Sequence, residues 1–118
     1  MILNNLSILI AEDDFDDAEI IQESFLNNSH FSKVDVVKNG QELINYLKNC
    51  NACPHIILTD VNMPIMNGWQ FLEEYSKLRG VLSKESAIYM ISSSNNEVDI
   101  NKAKDYSEVV KDYFLKPV

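Results

Sequence analysis

The 118-residue chain has the length of one domain and carries 18 acidic against 10 basic side chains, a formal net charge of -8. That balance argues against a general nucleic-acid or anionic-membrane binder, which needs a concentrated basic surface. Hydrophobic residues make up 46% and charged residues 24%, a globular rather than a disordered composition, and no apolar run approaches the roughly 20 residues of a membrane helix. The opening MILNNLSILIAEDD lacks a basic n-region and runs from apolar residues into acids, unlike a secretory signal. A single domain spanning 1–118 in a cytoplasmic protein is expected.

The elements alternate along the chain. Leu6–Ala11 is the first predicted strand and ends at Glu12-Asp13-Asp14. A helix follows, in which Ala18, Ile21 and Phe25 form an apolar stripe and Asp14 caps the start, with Asp17 at the capping-box distance. Lys33–Val37 alternates like an outer strand half covered by helices. Asn39-Gly40 is a turn signal, after which Leu43, Ile44 and Leu47 share one helical face.

Cys50 and Cys53 lack a second ligand pair and the following helix of a thiol redox site, so two reduced cysteines are expected. His55–Asp60 and Ala87–Ser92 are near-continuous apolar runs, as in parallel strands covered on both faces. Between them Gly68 opens a helix with Phe71 or Leu72, Tyr75 and Leu78 inward. A fourth helix is predicted from about Asn95, with Ile100, Ala103 and Tyr106 inward. The last strand, Asp112–Lys116, stops at Pro117.

Strand and helix alternating at this rhythm predict a three-layer α/β domain around an open parallel five-stranded sheet, with right-handed crossovers. Ligands of such sheets bind beyond the carboxyl ends of the strands. The polar residues just past the apolar runs are Glu12, Asp13 and Asp14, then Asp60, then Ser92 and Ser93, then Lys116. Each alone reads as a cap, a loop residue or solvated surface. Together they place at least three carboxylates at one end of one sheet.

Like charges that close cost roughly 4 kcal/mol per pair at 4 Å and an effective dielectric of 20. Such a crevice is partly protonated or holds a cation. Oxygen ligands without histidine or thiolate favour Mg2+, with Mn2+ as a substitute. Calcium is disfavoured because no twelve-residue oxygen-rich loop is present. A lysine and a serine opposite the metal complete a receptor for a phosphoryl group.

Four pieces, ILIAEDD, IILTDVNMPIMNG, IYMISSS and DYFLKPV, resemble the response-regulator receiver domain, the CheY-like phosphoacceptor module of two-component signalling. They span nearly the whole chain in family order. The resemblance implies a flavodoxin-like strand order of 2-1-3-4-5. It also implies that Asp60 accepts a phosphoryl group, that Asp13 ligates Mg2+ directly, and that Glu12 acts through water. By the same resemblance Asp60 and the backbone carbonyl of Asn62 complete the metal ligands. Ser92 is the switch hydroxyl, Lys116 the lysine that meets the phosphoryl charge, and Tyr113 the aromatic that turns inward on activation.

Lys116-Pro117 corresponds to a bond that is cis in the family. Ser94 and Asn62 stand where hydrolysis is tuned, and being small and uncharged they imply modest turnover. Pro64 and Gly68 shape the loop after Asp60. Trp69 either covers the third helix or faces a partner, whereas His30, His55 and Tyr89 are expected to take no part in chemistry.

The implied function is a phosphoacceptor response regulator that receives its phosphoryl group from a sensor histidine kinase or a histidine phosphotransfer protein. It would signal to a downstream protein effector by conformational change, without direct nucleic-acid or membrane contact. No conventional turnover enzyme is expected, only Mg2+-dependent self-phosphorylation from a phosphodonor and autodephosphorylation. A pseudo-receiver that binds proteins without being phosphorylated is the alternative, disfavoured by the intact residue set. A flavodoxin-like cofactor binder or small phosphatase lacks its glycine-rich loop.

The family's fifth helix is missing after Lys116-Pro117. Its absence is expected to bare about 300 Å² of apolar sheet, worth about 7 kcal/mol. A longer natural chain carrying that helix is expected over a natural domain without it. A homodimer through the fourth helix and fifth strand, or through the bared face, would also cover apolar surface.

Overall fold

The computed structural model describes residues 6–49, 53–78, 86–92, 101–102, 104–106 and 109–115. The strands β1 (Leu6–Ala11), β2 (Phe31–Val37), β3 (Ile56–Asp60), β4 (Ala87–Ser92) and β5 (Val110–Leu115) alternate with α1 (Phe15–Leu26), α2 (Gly40–Asn49) and α3 (Gly68–Leu78). Helical backbone recurs at Asn101, Lys102, Lys104 and Asp105, within the predicted fourth helix. All strand pairings are parallel and the order is β2-β1-β3-β4-β5. This is the flavodoxin-like sheet that the family resemblance implies.

The central strands are apolar on both sides because both sides are covered. Leu9, Ala11, Ile57, Ile88 and Met90 join Leu43, Ile44 and Leu47 of α2 and Phe71, Leu72 and Tyr75 of α3 in one core cluster. Ile8, Ile10, Leu58, Ile91 and Val34 join Ile21 of α1 in the other. Both Phe71 and Leu72 are fully buried, so α3 turns a wider apolar stripe inward than a single choice between them implies.

β3 starts at Ile56, one residue past the expected His55, and two boundaries on the outer strands differ from expectation by two residues. β2 starts at Phe31 rather than Lys33, because Phe31 pairs with Leu6 and packs edge-on against Phe25 at 5.0 Å. β5 starts at Val110 rather than Asp112. Ile88 pairs with Val110 and Tyr89 with Asp112, so Lys111 is an extra residue that breaks the alternation.

The sheet face beside α1 carries an open groove of about 290 Å³ lined by Ile8, Phe25, Ile56, Leu58, Tyr89 and Phe114. The groove is apolar, on a face that α1 covers only in part. Tyr89 stacks on Phe114 across it at 6.0 Å, in the packing role expected for Tyr89. No helix among the described residues is long and apolar enough to cross a membrane.

The expectation of free thiols is corrected: Cys53 is disulfide-bonded. The sequence has one other cysteine, Cys50, which lies outside the described residues.

Candidate functional site

The strands deliver acids to one end of the sheet. β1 stops at Ala11, and the Glu12 amide still donates to the Val37 carbonyl of β2 at 3.0 Å, which holds the chain in register as it leaves the sheet. Asp60 is the last residue of β3, directly beside β1. Carboxylate oxygens of Glu12, Asp13 and Asp60 consequently lie within 4.8 Å of one another. Glu12 and Asp60 are buried, at 2% and 5% exposure, and Asp13 is open to solvent.

Three carboxylates at that separation repel by roughly 3–4 kcal/mol per ionised pair at an effective dielectric of about 20. The donor set is all oxygen, two parts enclosed and one part open. It fits a hard divalent cation that keeps several waters, with Glu12, Asp13 and Asp60 as the protein side of the shell.

The backbone around the acids is tightly tied. The Asp14 amide donates to Glu12 Oε2 at 3.2 Å. Asp14 Oδ1 in turn accepts from the Asp17 amide at 2.9 Å, so Asp14 caps α1 as predicted. The Asn62 amide donates to Asp60 Oδ1 at 3.4 Å, which places Asn62 at the site, with its side chain exposed. Val61 donates to Ile91 of β4 and accepts from Gly68, bringing the start of α3 back under the loop. A methyl group on Gly68 would stand 2.7 Å from the Asp60 carbonyl oxygen and 2.7 Å from Met90 Cε, so only glycine permits that approach.

Between Pro64 and Met66 the chain makes a γ-turn, with the Met66 amide donating to the Pro64 carbonyl at 2.7 Å and Ile65 at φ 68°. Ile65 and Phe15 are exposed apolar side chains, at 81% and 77%.

Ser92 is fully buried at the end of β4, one position past the Asp60–Ile91 pairing. Tyr113 is half-buried beside Met90, packs against the core cluster of α2 and α3, and has an enclosed hydroxyl without a hydrogen-bond partner among the described residues. Lys116 and its bond to Pro117 lie outside the described residues, as do Ser93 and Ser94. Trp69 covers α3: its ring is 8% exposed, stacks on Tyr106 at 6.1 Å and lies under Lys102 Nζ at 5.6 Å. His55 Nδ1 accepts from the Ser7 amide at 3.1 Å, a structural tie between β1 and the start of β3.

One residue at this end of the sheet escaped the sequence reading. Lys38 follows β2 and lines a cavity of about 410 Å³ with Glu12, Asp13, Phe15, Glu19 and Gln22, closed by Ala18 and Val36. Lys38 stands just past β2 as the acids stand past β1 and β3, which is the one signal the sequence carries for it.

Titration is perturbed away from the acids, where β2 meets α2. Tyr46 donates to Asp35 Oδ2 at 2.8 Å, and Lys33 Nζ lies 3.6 Å from the same oxygen. Burial, then the bond to Asp35, raises the Tyr46 pKa, and contact with Tyr46 and Asp35 raises that of Lys33.

Residues 8–118 match the family described as Response regulator receiver domain. Among curated proteins, the transcriptional regulatory protein CitT of Halalkalibacterium halodurans is 29% identical over 115 residues, covering 94% of this chain and 46% of that protein. Response regulator Rre1 of Synechocystis is 33% identical over 69 residues, covering 58% of this chain and 29% of that protein. The chain thus spans less than half the length of these curated relatives. Among solved structures, the phosphorylated cyanobacterial phytochrome response regulator RcpA superposes with a TM-score of 0.84 at 28% identity, over 97% of this chain and 82% of that one. A two-component response regulator from Cytophaga hutchinsonii does so with a TM-score of 0.79 at 28% identity, over 95% and 86%. The order of the sheet, the acids at its carboxyl end and the match over nearly the whole sequence agree: this chain belongs to the response regulator receiver domain family.

Proposed function

We propose that the domain is a phosphoacceptor, with Asp60 taking a phosphoryl group from a phosphohistidine of a sensor kinase or phosphotransfer protein, or from a small donor such as acetyl phosphate. The observation that carries this reading is the convergence of the Glu12, Asp13 and Asp60 carboxylates within 4.8 Å. An Asp60 oxygen attacks phosphorus while the donor's P–N or P–O bond breaks. The leaving group departs with the electron pair and takes its proton from solvent.

Glu12, Asp13, Asp60 and the Asn62 carbonyl are the residues that would hold Mg2+, or Mn2+ in its place. The ion supplies positive charge against the oxygens of the transferring group. Glu12 and Asp13 keep that charge beside Asp60, and the Asn62 amide orients the nucleophile through Asp60 Oδ1. Lys116 meets the same developing charge from the end of β5, and the Ser92 hydroxyl donates to an oxygen of the bound phosphoryl group.

The modified aspartate gains about -1.5 to -2 in charge together with new acceptor oxygens. Ser92 and Lys116 move toward them, Tyr113 repacks, and the face formed by β5 and the preceding helical residues changes for a downstream protein partner.

Incubation with acetyl phosphate and Mg2+ followed by intact-mass analysis tests the reading. An adduct of one phosphoryl group, absent in Asp60→Asn and after Mg2+ removal, is expected. No adduct from either acetyl phosphate or a phosphorylated histidine donor, in protein that binds Mg2+, would leave a protein-binding pseudo-receiver as the function.

A further inference from the structure

The cavity beside the acids is asymmetric in charge. Glu12, Asp13 and Glu19 contribute negative groups, and Lys38 is the one cation among the described residues lining it. Lys38 is exposed, and its ammonium forms no ion pair among the described residues. Its backbone is nevertheless fixed: the Lys38 amide donates to Glu42 Oε1 at 2.9 Å, and Asn39 Oδ1 caps α2 by accepting from the Glu42 amide at 2.9 Å. Lys38 thus leaves a hydrogen-bonded strand-to-helix corner and lines the cavity together with Phe15.

A phosphodonor is an anion approaching a chain of net charge -8 and a helix, α1, whose sequence FDDAEIIQESFL contains no base. Among the described residues lining the cavity, Lys38 is the one that attracts such a donor, apart from the ion the acids would hold and Lys116. A cavity of about 410 Å³ is comparable in width to the ~8 Å Debye length at physiological ionic strength, so a charge on its wall acts across it.

We propose that Lys38 is a specificity-determining residue of the phosphoryl-transfer site, one that draws anionic phosphodonors toward the Glu12 and Asp13 side of that site. The proposal rests on the phosphoacceptor reading and makes a demand that reading does not. One positive charge acts with opposite sign on the two ions the site handles: it attracts the donor and repels Mg2+.

The test compares wild type with Lys38→Ala, Lys38→Arg and Glu19→Gln. Mg2+ affinity is measured by calorimetry, and phosphorylation by acetyl phosphate by intact mass over a range of donor concentrations. In Lys38→Ala the donor's KM rises about three- to tenfold with the limiting rate unchanged, while Mg2+ binds about two- to fivefold tighter. Lys38→Arg keeps both values. Glu19→Gln, which removes a negative charge from the same wall, shifts both in the other direction. All of these differences shrink as salt is raised.

A Lys38→Ala protein that is phosphorylated with unchanged KM overturns the proposal and leaves the phosphoacceptor reading intact. So does one in which donor and Mg2+ affinity fall together, the mark of a merely structural residue. If wild type binds Mg2+ but takes no phosphoryl group from any donor, both fail.

Discussion

The Gly40 amide donates a 2.8 Å hydrogen bond to the carbonyl of Met66, fastening the first turn of α2 to the loop that leaves Asp60. The fit is close, since a methyl group on Gly40 would lie 2.7 Å from that same oxygen and 2.8 Å from Met66 Cγ. Through Met66 the contact reaches the γ-turn at Ile65, and through Gly68 the loop returns to β3. The segment that follows Asp60 is thus clamped at both ends by glycines that have no room for a side chain.

Gly68→Ala is expected to destabilise the domain by about 1–3 kcal/mol, because the added methyl must displace the Asp60 carbonyl or Met90. Where the Asp60 carbonyl is the group displaced, its carboxylate shifts relative to Glu12 and Asp13, and Mg2+ affinity is expected to fall as well. Urea unfolding and calorimetric Mg2+ titration of the folded variant check both. Unchanged affinity would show that the carboxylate is positioned independently of its own backbone.

Ile65 is a β-branched residue at φ 68°, a conformation that costs an L-residue about 1–2 kcal/mol. Its side chain is 81% exposed, so little burial is at stake. Ile65→Asn is expected to raise stability by about 1 kcal/mol, read as a higher urea midpoint at unchanged slope. A lower midpoint would mean that the exposed side chain contributes packing that its surroundings do not suggest.

Removing the repulsion among Glu12, Asp13 and Asp60 should stabilise the fold. Mg2+ at about a hundred times its dissociation constant contributes about 2.7 kcal/mol, seen as a rise of several degrees in Tm. Asp13→Asn lowers the charge of the site and weakens Mg2+ binding about tenfold or more, while making the metal-free protein more stable. A Tm indifferent to Mg2+ in wild type would remove the metal from the account.

The Tyr46–Asp35 bond has a pH signature. The folded pKa of Tyr46 lies above the unfolded value of 10.0 because burial, and then the bond to Asp35, favour the neutral phenol. A raised pKa contributes stability that is fully present below pH 10 and is lost as pH climbs through the folded value. Tyr46→Phe is expected to be less stable than wild type by about 1 kcal/mol at about pH 8, with the gap narrowing above about pH 10. Urea midpoints across that range provide the comparison, and a gap that widened would reverse the assignment.

What could be read in the sequence follows from what is buried. β1, β3 and β4 are covered on both faces, so their apolar runs mark them within a residue. The outer strands carry irregular register, at Leu6/Ser7 against β2 and at Ile88/Tyr89 against β5, and there a period of two misplaces the start by two residues. The acids were legible because strand ends converge in a parallel sheet. Lys38 was not: a lysine after a half-covered outer strand looks like ordinary solvated surface until α1 is seen to close a cavity over it. The bonded state of Cys53 was missed for another reason. Ligand pairs and helix ends mark reactive thiols in a sequence, and neither reports whether a cysteine is bonded.

The lone tryptophan occupies an informative position. It begins α3 next to Gly68, whose backbone rests on Asp60, and its indole lies flat against Tyr106 beneath an ammonium group. Indole emission is sensitive to nearby charge and to stacking partners. The molecule therefore contains its own optical gauge, wired between the acidic rim and the helical residues before β5, and a rearrangement of either end can be timed in a stopped-flow cuvette without attaching a dye.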